Sequence, residues 1–142
     1  MNNKLGLNEQ DLEVFEEQLF NFKSSLIDYR VTFNESEFNL SYLIKLHNFL
    51  FGDLYDNDNI SDRFKDDSEL LDKKIKELVS LIEYEYEDIE YINNMITELI
   101  NMQIFDDGNN RTINCFIKNV VNSYRDKNPS YYDLLLNDSK KL

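Results

Sequence analysis

Apolar side chains recur along this chain at alternating steps of three and four residues, and little interrupts them: 142 residues hold only 3 Gly and 1 Pro. A step near 3.6 gathers side chains on one face of an α-helix, whereas a strand needs a step of two. With so few breakers among many Leu, Ile, Asn, Lys and Glu, the expected fold class is all-α. The length suits one domain spanning 1–142, a compact bundle of about six helices. A hydrophobic fraction of 42%, with 9 Tyr and 10 Phe, supplies its core.

From Asn8, read as an N-cap, the positions Leu12, Phe15, Leu19, Phe22, Leu26 and Tyr29 trace the seam of a first helix. Four to five turns suit packing within the domain better than a coiled coil with another chain. After a polar break at Asn34 to Glu37, a second helix carries Leu40, Leu43, Ile44, His47, Leu50 and Phe51 and closes at Gly52. Residues 53 to 67 read as a polar loop. Its Asp56 and Asp58 lack the Gly and Glu offsets of a calcium-binding loop. Ser68 opens a third helix through Leu70, Leu71, Ile75, Leu78 and Ile82. The acidic stretch Glu83 to Asp88 separates it from a fourth through Ile89, Ile92, Met95, Ile96, Leu99 and Ile100. A fifth stripe runs Ile113, Phe116, Ile117, Val120, Val121 and Tyr124. Asn128-Pro129 then starts a closing helix with Tyr132, Leu135 and Leu136. No internal repeat or low-complexity linker divides the chain.

Charge narrows the partners. With 28 acidic against 15 basic side chains the net charge is -13, which repels nucleic-acid backbones and anionic membranes. The expected partner is a protein, with no free nucleic acid and no membrane. A basic protein surface suits such a chain, including the groove of a nucleic-acid-handling defence protein, which an acidic inhibitor encoded by a mobile element would occupy. Acidity serving solubility alone is the plainer reading. The lone Cys115 forms neither a disulfide framework nor a cysteine zinc cluster. No signal-like apolar core and no run near the ~20 apolar residues of a membrane span are seen. A cytoplasmic protein is expected.

One segment concentrates chemistry. Gln103-Ile104-Phe105-Asp106-Asp107-Gly108-Asn109-Asn110-Arg111-Thr112 joins the fourth and fifth helices with an acid, a Gly-Asn turn and a base. Main-chain N–H groups released at Gly108 and gathered at the start of a helix favour an anion. Arg111 adds a charged donor, and Asp107 is a candidate ligand for a divalent metal. Gly108, Asn109, Asn110 and Arg111 are thus the candidate phosphate-binding residues. Gln103 has no titratable group.

This stretch resembles the signature of the Fic and Doc family, His-x-Phe-x-(Asp or Glu)-(Gly or Ala)-Asn-(Gly or Lys)-Arg, with Gln103 where the family has His. The segment Leu46-His47-Asn48-Phe49-Leu50-Phe51-Gly52-Asp53-Leu54-Tyr55-Asp56 resembles a helix and exit that Fic proteins carry upstream, so the likeness is strongest over 40–125. Ile104, in place of the usual Pro, and the Arg111-Thr112 ending lean toward the Doc branch, while the Leu-Phe-Gly-Asp-Leu-Tyr stretch leans toward Fic.

The resemblance implies an all-α Fic/Doc-like fold and transfer of an AMP or phosphate group from ATP, with Mg²⁺, to a protein. It implies that Phe105 anchors the loop, that Asp107 faces the metal, and that Gly108, Asn109 and Arg111 meet phosphates. Asn110 replaces a Gly or Lys, and Asn114 stands where many Fic enzymes have a second Arg. The family's His removes a proton from the acceptor hydroxyl, assistance typically worth ~10²- to 10⁴-fold. Gln103 does not supply it, so no intact catalytic set is expected. A protein acting by protein or nucleotide binding is the leading expectation, with a retained transferase as its rival. No Ser/Thr-x-x-x-Glu-(Gly/Asn) inhibitory motif is present, and His47, lying on an apolar stripe, is expected to be structural.

Overall fold

The computed structural model describes residues 3–27, 33–35, 37–55, 60–84 and 88–124. Among them are five α-helices: α1 (Glu9–Ser25), α2 (Leu40–Phe51), α3 (Ser68–Tyr84), α4 (Ile89–Asn101) and α5 (Asn109–Tyr124). A single 3-10 turn, Asp62–Phe64, precedes α3, and no strand occurs among the described residues. The all-α expectation holds, at roughly the expected number of helices. The closing helix from Asn128-Pro129 with Tyr132, Leu135 and Leu136, the position Tyr29, and Asp56 and Asp58 lie outside the described residues.

Local chemistry sets the helix starts. Asn8, Asn39 and Asp88 each sit before a helix and accept a hydrogen bond from the main-chain N–H three residues on, at Asp11, Tyr42 and Tyr91. α3 opens at Ser68 as expected, and Leu71 N–H donates to the Asp67 carbonyl, so Asp67 takes the capping position.

The core lies between α2, α3, α4 and α5. α5 packs on α2, α3 and α4, while α2 also packs on α1 and α3, and α3 on α4. Leu43, Leu46 and Leu50 of α2, Ile75, Leu78 and Ile82 of α3, Ile92, Ile96 and Leu99 of α4, and Ile113, Phe116, Ile117 and Val120 of α5 are buried. At about 1.5–3 kcal/mol for each such side chain, this cluster is the main stabilising contribution. Leu70, expected on the core stripe of α3, is exposed; with Leu71 and Ile75 turned inward, a 100° step per residue carries Leu70 off that face.

α1 departs most from expectation. No residue of it is buried. Leu12, Leu19 and Phe20 rest against the core cluster, while Phe15, Phe22 and Leu26 of the expected seam are exposed. The inward face is rotated toward Glu16 and Lys23, because both find partners on the domain. Lys23 Nζ donates to the Phe49 carbonyl at 2.8 Å and pairs with Asp53 at 2.6 Å.

The segment 53 to 67 is not a surface loop throughout. Leu54, Tyr55, Ile60 and Ser61 are buried, and Ser61 N–H donates to the Ile104 carbonyl at 2.7 Å.

Candidate functional site

The stretch from Gln103 to Thr112 forms a turn that leaves α4 and enters α5. Gln103 has φ +56 and follows Met102, the C-cap of α4. It therefore takes the left-handed conformation that ends many helices, a position Gly usually fills. Its N–H donates to the Ile100 carbonyl. Arg63, stacked over Phe64, donates to the carbonyls of Met102 and Gln103 at 2.5 and 2.7 Å. A cation on these carbonyls also meets the negative end of the α4 dipole.

Ile104 and Phe105 turn into the core and are buried. Phe105 stacks on His47, with ring centroids 4.0 Å apart and planes 4° apart. His47 is buried, and its Nε2 lies 2.9 Å from the Asp107 carbonyl. A carbonyl only accepts, so that nitrogen carries the proton. The expected structural role of His47 and the anchoring role of Phe105 both agree with this packing.

Asn109 is the hub of the turn. Its Oδ1 accepts from Phe105 N–H at 2.8 Å and its Nδ2 donates to the Phe105 carbonyl at 2.7 Å. The buried amide thus completes the hydrogen bonding of one buried main-chain residue. Both polar atoms of this side chain are engaged inside the protein. The Asp106 carboxylate accepts from the Ser61 hydroxyl at 2.7 Å. Gly108 has φ +75 and lies so close to Phe51 that a Cβ there would stand 2.6 Å from the ring.

Asp107 is half-buried, and its Oδ1 accepts from Gly108 N–H at 2.8 Å. Asn110 is exposed, its Oδ1 accepting from Asn114 at 2.5 Å on the outer face of α5. Arg111 does not stand open. Its guanidinium lies 3.2 Å from Glu16 of α1 and over the Phe20 ring. The other Glu16 oxygen accepts from the Tyr55 hydroxyl at 2.7 Å. Burial first, then the bond to Glu16 and the charges of Glu16 and Asp107, push the Tyr55 hydroxyl well above the usual phenol range. Tyr55 therefore stays a neutral donor to Glu16 and adds no charge of its own.

Glu16 and Tyr55 thus belong to this cluster; Tyr55 comes from the upstream segment that carries the resemblance, while nothing in the motif spacing points to Glu16. The available signal was Glu16 itself, an acid between Leu12, Leu19 and Phe20 on one helical face. Among the described residues, no group of three or more His, Cys, Asp or Glu side chains is placed to hold a metal ion. With one oxygen engaged by Gly108, Asp107 is not part of a protein-only metal cage among the described residues.

Fold and loop together define an all-helical domain with a hydrogen-bonded turn at the head of its central helix. No protein-family model matches the sequence, and no curated protein matches it. No helix among the described residues is long and apolar enough to cross a membrane.

Proposed function

We propose that this protein is a degenerate Fic/Doc-like domain that acts by binding a protein, with nucleotide transfer lost. The observation that carries this reading is Gln103, an amide where transfer chemistry needs a base, with its main chain in the left-handed turn just after the C-cap of α4. An amide takes up no proton near neutral pH, so the acceptor hydroxyl is not activated. A second observation agrees: Arg111, the cation available to a phosphate on this loop, is answered by Glu16. A nucleotide must displace that carboxylate before it gains a charge-assisted bond.

The rival reading, a working transferase, draws on the same pair. Arg111 already holds one anionic group at the head of a helix, and Asp107 fits magnesium carried by ATP. An amide can also orient a hydroxyl or water without taking its proton. Incubating the protein with α- and γ-labelled ATP, Mg²⁺ and cell lysate separates the two. The expected result is no labelled protein above background. Label that appears with the native chain and vanishes in both Asp107→Ala and Arg111→Ala overturns the binding-only proposal.

A further inference from the structure

We draw no further inference here: the strongest candidate, the exposed apolar flank of α1 that Phe15, Phe22 and Leu26 form, is an unpartnered face, and nothing in the structure shows what covers it.

Discussion

Replacing Gly108 by Ala probes the loop at its tightest point, and the structure supplies its own control. Two costs arise at Gly108. The first is conformational: at φ +75 an L residue pays about 1–2 kcal/mol, of which the stiffer unfolded chain returns about 0.4–1 kcal/mol. The second is steric. The new Cβ would stand 2.6, 2.9 and 3.1 Å from three atoms of the Phe51 ring, where carbon pairs prefer about 3.5–4.0 Å. That ring does not swing aside: it is buried, stacked on Phe20 and tilted against His47. Overpacking of this kind costs typically about 1–3 kcal/mol, so the total is about 2–4 kcal/mol. Gly6 has nearly the same backbone, φ +66, but nothing within 4 Å of a built Cβ, so Gly6→Ala carries the conformational cost alone, about 1 kcal/mol or less. Urea unfolding followed by circular dichroism at 222 nm, with linear extrapolation, gives both values. If the two substitutions cost the same within about 0.5 kcal/mol, the close approach to Phe51 does not constrain this turn and the packing argument is wrong.

Other outcomes follow from the same geometry. Asn109→Ala strips the partners from the buried Phe105 N–H and carbonyl and is expected to destabilise by about 2–4 kcal/mol by the same urea assay; a loss below about 1 kcal/mol means the turn is held by other bonds. Gln103→Gly relieves the left-handed residue and is expected to raise stability by about 0.5–1 kcal/mol. Gln103→His, tested with labelled ATP, shows whether the missing base is all that separates the loop from transfer; continued silence implicates Asn110 and the Glu16 contact. Burial pushes the Cys115 thiol up to about 11, so the unfolded chain releases this proton first. The resulting stability is complete below about pH 9 and declines between about pH 9 and the folded value, by on the order of 2–3 kcal/mol. Comparing urea midpoints of the native chain and Cys115→Ala at about pH 8 and 10.5 isolates it, and equal pH dependence in the two refutes it.

Helix identity was legible because it depends on neighbours. Asn8, Asn39 and Asp88 cap within three residues, and the stripes of α2, α4 and α5 repeat at the period of the helix itself. The turn between α4 and α5 was legible from Gly108 for the same reason. The residues that hold it were not, since Ser61, Arg63 and Glu16 reach it from far along the chain and nothing in their own surroundings says where they point. The bonds of Asn109 were not legible either, because a carboxamide serves equally to greet a ligand or to close a buried main chain, and the position of Phe105 is set by the fold. The face of α1 was ambiguous in a similar way. Leu12 and Leu19 belong to two overlapping stripes, and the choice between Phe15 with Phe22 and Phe20 with Glu16 was made by Arg111 and Tyr55, not by spacing.

The bonds from Ser61 and Arg63 to the carbonyls of residues 102 to 104 bear on how the molecule assembles. They tie together stretches about forty positions apart, so this turn matures only after the intervening two helices have been laid down and brought side by side. The amide proton of Ser61 should therefore trade for deuterium as slowly as the most protected amides of α5, through opening of the whole domain and not by local fraying.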